Sequence, residues 1–153
     1  MGGAPVRRWT LTLLAASGLA LGACGAIPAD TEGTLDRATG GTLVVGVSEH
    51  HPWTAIGGDG EITGTEADLI TSFAESIDAR LEWHTGPESV LADMTKEGEL
   101  DVVIGGLTAD APWSDKMALT RPYSGDQVMG LRMGENELLV ALERHLAREH
   151  GEI

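Results

Sequence analysis

The sequence predicts an α/β fold, a three-layer sandwich with a mostly parallel central sheet between two layers of helices. Short apolar runs rich in β-branched residues, typical of strands buried on both faces, alternate with amphipathic segments of helical period. The order strand, helix, strand, helix, strand favours parallel pairing with right-handed crossovers. The chain from about Thr42 to Ile153 is long enough for one such domain with a modest core.

The first strand, helix and turn are predicted between Thr42 and Ile77. Thr42–Val47 (TLVVGV) is a continuous apolar run, and Gly57–Gly60 is typical of a hairpin turn between two short extended pieces. The side chains of Thr65 and Asp68 fit a capping box at the start of a helix. One apolar stripe supports this helix, formed by Leu69, Ile70, Phe73, Ala74 and Ile77.

The rest of the chain continues the alternation. Leu81–Thr85 is the second predicted strand, Pro87 and Gly98 suit the first turn and the end of a second helix, and Asp101–Gly105 is the third strand. Gln127–Met133 can form a further strand, and Glu135–His150 a last helix. The apolar side of that helix consists of Leu138, Leu139, Leu142 and Leu146.

The N-terminus is typical of an exported protein. Residues 1–23 combine two arginines, an apolar stretch shorter than the roughly 20 residues of a membrane span, and small residues, as in a signal peptide. Leu21–Cys24 (LGAC) resembles the lipobox of bacterial lipoproteins, which implies that Cys24 is lipidated and anchors the chain outside the cytoplasm. Residues 24–41 are small and polar and are predicted to be a flexible tether, which leaves 42–153 as the domain.

Composition excludes several classes of function. Without the two arginines of the signal peptide, 24 acidic residues face 8 basic ones, so nucleic acid is not an expected partner. The single cysteine excludes an internal disulfide. The group Glu49-His50-His51 lacks a second spaced pair, so no metal or other cofactor is predicted. No nucleophile with a positioned base was found, and an enzyme is not expected.

A ligand site is expected at the carboxyl ends of the strands. Ligands of open α/β sheets bind where the strand order reverses. If the first strand lies between the second and the third, the segments after Val47 and Gly105 face each other across that crevice. The turn Gly105–Lys116 (GGLTADAPWSDK) would then face Ser48–Thr54.

Three segments together resemble a known family. TLVVGVSEHHPWT, GEITGTEADLITSFAESIDARLEW and GELDVVIGGLTADAPWSDKMALTRPYS resemble the first lobe of type 2 periplasmic solute-binding proteins, the amino-acid-binding branch that serves ABC importers. The resemblance runs from about Leu43 to Tyr123 and implies a single lobe of that fold. We expect the family's second lobe to be absent, because the chain passes from a hinge-like strand directly to a helix resembling the family's last one.

The resemblance also suggests a binding site. It implies that the Trp53 ring stacks on a ligand and that Thr108 offers a hydroxyl, whereas the family's carboxylate-binding arginine is replaced by Trp113. With Asp110, and with Glu66 as a further candidate, these residues would form an acidic, aromatic mouth suited to a cationic or neutral solute. The predicted ligand-binding residues are Trp53, Glu49, Gly106, Thr108, Asp110 and Trp113.

Other roles remain open for the side chains of Trp113, Glu66 and Asp68, and a second function remains open for the protein. Trp113 can instead cover the core, and Glu66 and Asp68 can serve the helix start without any ligand. The main expectation is a lipid-anchored, extracytoplasmic solute-binding or sensing module linked to transport, with a small-molecule solute and a membrane transporter or a second exported protein as partners. The alternative is a protein-interaction module that uses the open cleft or the hinge edge.

Overall fold

The computed structural model describes residues 1–3 and 29–151. Residues 4–23 of the predicted signal peptide and Cys24 lie outside the described residues. Within the described ranges, no helix has both the length and the hydropathy of a membrane span. The strands are β1 (Thr42–Val47), β2 (Ala55–Ile56), β3 (Ile62–Thr63), β4 (Arg80–Thr85), β5 (Val102–Ile104), β6 (Ala118–Leu119) and β7 (Gly130–Leu131). The helices are α1 (Thr34–Ala38), α2 (Thr65–Ser76), α3 (Glu88–Glu97) and α4 (Asn136–His150).

The central sheet has the strand order β4-β1-β5-β7-β6, and β2 pairs with β3 in a separate hairpin. β1 pairs in parallel with both β4 and β5, whereas β7 is antiparallel to its two neighbours. All strands of the sheet except β7 therefore run in one direction. The predicted mostly parallel sheet is confirmed, and β1 lies between the second and third long strands, where the crevice argument requires it.

Two apolar clusters cover the two faces of the sheet, so the predicted three layers are confirmed. One cluster joins β1 and β5 to α2 and α4, and it includes Phe73 and Leu142. The other joins the opposite face to α3 through Leu91 and Val103. Neighbouring residues of β1 point to opposite faces, as the pleat of a strand requires, because Val45 belongs to the first cluster and Val44 packs against the second.

The start of α2 differs from the predicted capping box. Gly64 is the N-cap residue, and no side chain caps the helix. The N–H of Glu66 instead donates to the carbonyl of Trp53 at 3.0 Å. Gly64 has φ 115°, and a Cβ atom there would lie 2.3 Å from that same carbonyl oxygen. The loop after β1 therefore caps α2 through its backbone, which ties the helix start to Trp53.

Other boundaries of helices and strands differ from the predicted ones for local reasons. Pro87 is the N-cap residue of α3 and lies just before the helix, and Gly98 ends the helix with φ 83° as predicted. The predicted strand at Gln127–Met133 is reduced to β7, because the N–H of Gln127 closes a turn by donating to Ser124 at 3.1 Å. β6 was not predicted, since two residues carry no recognisable period.

The largest correction concerns the predicted tether. Residues 30–41 are packed on the domain: Thr34 and Ala38 of α1 are buried, and Ala38 joins the core. The composition of this segment suggested a loop, because a helix of five residues shows no periodicity and its partners lie about a hundred residues away in the chain. The folded domain therefore begins near Asp30.

Two carboxylates, Asp30 and Glu135, hold this segment to α4 reciprocally. Asp30 accepts hydrogen bonds from the N–H groups of Glu137 (2.6 Å) and Leu138 (2.9 Å), which caps α4. Glu135 in turn accepts from the N–H groups of Glu32 (2.9 Å) and Thr34 (3.1 Å) at the start of α1. Each chain segment thus satisfies free donors at the start of the other.

We expect Glu135→Gln to lower the free energy of unfolding at neutral pH by about 1–2 kcal/mol, because the charged oxygen that accepts one of these N–H groups becomes an amide donor. Burial raises the pKa of Glu135, but the hydrogen bonds from Thr34 and Glu32 and the charge of Arg132 outweigh it, so the pKa is lowered. The stabilisation is therefore present above the ordinary carboxyl pKa and is lost as the pH falls through the lowered value.

Urea unfolding of the wild-type protein and of Glu135→Gln at pH 7 and pH 3 tests this prediction. The difference between the two proteins should shrink at the lower pH. Glu75→Gln, the same change at an exposed position of α2, is the control and should stay within about 0.5 kcal/mol of the wild type. A constant difference at both pH values would contradict the prediction.

Candidate functional site

The loops after β1 and β5 meet at the carboxyl edge of the sheet, as predicted. Val47 is paired with Ile104, and the N–H of Ser48 donates to the Ile104 carbonyl at 3.0 Å. The two strands end side by side, so the loop Ser48–Thr54 and the turn that begins at Gly105 emerge together. This is the position at which open α/β sheets bind ligands.

Hydrogen bonds within the loop after β1 hold two aromatic side chains at this edge. The N–H of His50 donates to the backbone oxygen (3.1 Å) and the hydroxyl oxygen (2.9 Å) of Thr54. The Thr54 hydroxyl then donates to the carbonyl of Ser48 at 2.5 Å. The resulting tight turn brings the rings of His50 and Trp53 within 5.1 Å, edge to face at 77°. Trp53 is half-buried and His50 is exposed.

Gly105 and Gly106 approach these rings closely. Gly106 has φ 66°, and a Cβ atom there would lie 2.9 Å from both His50 Nδ1 and Trp53 Cε3. His50 Nδ1 lies 3.1 Å from the carbonyl oxygen of Gly105. Because a carbonyl oxygen can only accept, Nδ1 carries the hydrogen in this contact. The structure thus brings the predicted residues Trp53 and Gly106 into contact.

Glu66 lies behind this turn and is completely buried. Its Oε2 accepts hydrogen bonds from the N–H groups of Gly105 (2.8 Å) and Gly106 (2.9 Å), and its Oε1 accepts one from the hydroxyl of Tyr123. The expectation that Glu66 belongs to the mouth is therefore corrected, because its oxygens are used inside the protein. Sequence reasoning missed the partner Tyr123, which is 57 residues away in the chain.

Burial and charge shift two pKa values in this cluster. Burial raises the pKa of Glu66, and the hydrogen bonds from Gly106, Tyr123 and Gly105 and the nearby His50 only partly offset it. Burial and the neighbouring Glu66 charge also raise the pKa of Tyr123. Tyr123 therefore remains a hydrogen-bond donor to Glu66.

Thr108 and Asp110 form a second polar pair on the same turn. The Thr108 hydroxyl donates to Asp110 Oδ1 at 2.6 Å, and the carbonyl of Thr108 accepts from the N–H of Ala111 at 2.9 Å. Thr108 is half-buried and Asp110 is exposed. The turn thus presents the Asp110 carboxylate to solvent four residues after Gly106. The Thr108 hydroxyl that orients this carboxylate has already donated its only hydrogen.

Glu49 and Trp113 have other partners. Glu49 accepts from the N–H of Ile56 in β2 at 3.2 Å, and its Oε1 lies 3.6 Å from His51 Nε2. Trp113 donates from Nε1 to Glu88 at 3.0 Å and packs against the apolar cluster of α3. Trp113 therefore covers the core, the second of its two expected placements, because α3 offers both an apolar surface and an acceptor. In the described part of the chain, no group of three or more His, Cys, Asp or Glu residues could hold a metal ion.

A hollow beside Trp53 was not predicted. It has a volume of about 210 Å³, and its walls include Trp53, Leu69, Tyr123 and His150. A second hollow of about 370 Å³ adjoins it between α2 and the end of α4, with Asp68 and Glu149 among its walls. Neither hollow could be predicted from the sequence, because α2 and α4 are far apart in the chain and meet only in the folded protein. Trp53 therefore contacts the Gly105–Gly106 turn and also lines the first hollow.

We expect Glu66→Gln to fold and to lose part of the pH dependence of stability. The raised pKa means that this carboxyl stabilises the fold most below its ordinary value of 4.5, and that its contribution is lost as the pH rises through the raised value. The amide keeps an acceptor for the two glycine N–H groups and places a donor beside the oxygen of Tyr123. Glu66→Ala leaves three donors unsatisfied and should cost about 2 kcal/mol or more.

Urea unfolding of both variants and the wild type between pH 5 and pH 8 measures these effects. The prediction is contradicted if Glu66→Gln retains the full pH dependence of the wild type. It is equally contradicted if Glu66→Ala is as stable as the wild type.

Comparison with known proteins agrees with this architecture. Residues 43–148 match the bacterial extracellular solute-binding proteins, family 3. A probable histidine-binding protein of Neisseria gonorrhoeae is 27% identical over 124 residues, which is 77% of this chain and 44% of that protein. A probable histidine-binding protein of Campylobacter jejuni is 25% identical over 130 residues, 85% of this chain and 51% of that protein. The chain thus spans about half the length of the curated relatives it matches.

Solved structures show the same fold. The arginine-bound form of domain 1 from TmArgBP has a TM-score of 0.66 and 24% identity, covering 74% of this chain and 97% of that one. The ancestral amino acid-binding protein AncCDT-1, described as a precursor of cyclohexadienyl dehydratase, has a TM-score of 0.68 and 15% identity, covering 77% and 94%. The matched family and these relatives are solute-binding proteins and not enzymes. Since the match covers more than half of the chain, this protein belongs to the bacterial extracellular solute-binding proteins, family 3.

Proposed function

We propose that a mouth formed by Trp53, Gly106, Thr108 and Asp110 binds a small, positively charged polar solute. The observation that carries this proposal is the Asp110 carboxylate, which Thr108 holds on the same turn whose Gly106 lies close to Trp53. An ammonium or guanidinium group can pair with the carboxylate while the ligand's body or charge lies against the indole ring. Glu49, exposed at the start of the loop after β1, adds negative charge nearby.

The overall charge favours the same class of ligand. The chain has a formal net charge of -14, so its field attracts cations toward the cleft and repels anions. A site open to solvent on one side weakens each polar contact, because the effective dielectric constant stays high. We therefore expect affinities weaker than those of a site enclosed between two lobes.

The relatives support this reading. Two are described as probable histidine-binding proteins, and one neighbour is an isolated first domain with arginine bound. Both amino acids have basic side chains. The isolated domain supports the idea that one lobe of this shape holds a ligand without a second lobe, although the likeness itself concerns only the fold.

Anchoring and transport complete the proposal. We propose that residues 1–23 direct export, that Cys24 carries a lipid, and that the folded domain is held at the outer face of the cell membrane near a transporter. Support comes from the lipobox-like Leu21–Cys24 and from membership of an extracellular solute-binding family. Asp30, which hydrogen-bonds to the start of α4, lies six residues after Cys24 in the sequence.

Thermal unfolding in the presence of candidate solutes tests ligand binding. Arginine, histidine and lysine should raise the unfolding midpoint, whereas glutamate and glucose should not. A ligand at about 100 times its dissociation constant adds roughly 2.7 kcal/mol to the free energy of unfolding. The proposal fails if no cationic solute shifts the midpoint of the cooperatively folded protein.

A matched pair of tryptophan variants locates the site. Trp53→Leu removes the aromatic face beside Gly106 and should abolish the ligand-dependent shift. Trp113→Leu makes the same change against the α3 cluster and should lower the midpoint of the free protein while preserving the shift. The reverse pattern would place the ligand at Trp113 and contradict the proposed mouth.

A further inference from the structure

We infer that the mouth recognises the cationic end of its ligand and does not require a carboxylate. The ligand class is then organic amines and guanidines, with amino acids binding only through their basic side chains. This inference rests on the proposed function, because it concerns the same mouth of Trp53, Gly106, Thr108 and Asp110. Its basis is that three hydrogen-bond donors of the turn are engaged inside the protein, whereas the Asp110 carboxylate is exposed to solvent.

Three hydrogen-bond donors of the turn are already in use inside the protein. The N–H groups of Gly105 and Gly106 point inward to Glu66 at 2.8 and 2.9 Å. The hydroxyl of Thr108 donates to Asp110 at 2.6 Å. A carboxylate taken from water loses its hydration and needs several donors to replace it. These three groups cannot supply them without breaking bonds inside the protein.

The basic side chains nearest to the turn along the chain are also engaged. Lys116 Nζ lies 2.6 Å from Asp93, and Arg121 donates from both its backbone N–H and Nε to Glu143. At the position where the resemblance leads one to expect a carboxylate-binding arginine, Trp113 packs on the core. The geometry therefore offers no paired fork for a ligand carboxylate from these three positions.

Acceptors, in contrast, remain available on the same turn. Asp110 Oδ1 takes the Thr108 hydroxyl, and Asp110 keeps a second oxygen on an exposed side chain. Thr108 Oγ retains its lone pairs after donating. A group with several N–H donors and a positive charge matches this set. A carboxylate is repelled by Asp110.

Matched ligand pairs that differ in the carboxylate test the inference. Isothermal titration calorimetry on the protein, at about 0.15 M salt, would compare arginine with agmatine, histidine with histamine, and lysine with cadaverine. We expect each decarboxylated amine to bind at least as tightly as its parent amino acid, or within about threefold of it. Titration with acetate, which carries the carboxylate alone, should give no heat of binding.

The outcomes separate the inference from the proposed function. If the amino acids bind more than about tenfold tighter than the amines, the carboxylate is recognised and the inference is overturned, while the proposed function stands. If neither member of any pair binds, both are overturned. Comparable binding of the two members of a pair supports both.

A charge-neutralising pair of variants assigns the contact. Asp110→Asn keeps the size of the side chain and should weaken binding of every amine by about tenfold or more. Asp78→Asn is the matched control, because it makes the same change between α2 and β4, at the amino edge of the parallel strands. Asp78 has φ 56°, which asparagine tolerates well. Equal affinities of the wild type and Asp110→Asn would overturn the inference.

Discussion

The buried carboxylate of Glu66 is the interaction on which the ligand-facing edge depends. It joins α2, the Gly105–Gly106 turn and Tyr123 through three hydrogen bonds, all inside the apolar core. Removing a carboxylate from water is costly, and only a full set of donors offsets the cost. The two glycine N–H groups are part of that set, so the turn has one geometry and directs its donors inward.

Carboxylates also accept hydrogen bonds from backbone N–H groups of distant segments where the chain before β1 meets α4. Asp30, just before α1, caps the start of α4. Glu135, just before α4, accepts hydrogen bonds from N–H groups at the start of α1. This exchange makes the segment before β1 part of the folded unit, and it fixes the last helix against the first. α4 then closes one face of the sheet through Leu138, Leu142 and Leu146.

The described residues provide one wall of the proposed mouth. This wall carries the half-buried ring of Trp53 and the exposed carboxylate of Asp110. Affinity must then come from contacts that survive exposure to water, chiefly an ion pair and an aromatic surface. The proposed site therefore suits a weakly bound cation. The hollow beside Trp53 adds apolar surface next to it.

The sequence by itself determined the α/β class, the positions of the long strands and helices, and the sheet edge at which the loops after β1 and β5 meet. These features follow from the apolar period of segments such as Thr42–Val47, which depends on near neighbours in the chain. Only the tertiary structure decided that Glu66 is internal, that Trp113 covers α3, and that residues 30–41 are packed. Each of those outcomes depends on which distant donor or apolar face contacts the segment. The local sequence pattern does not indicate such partners.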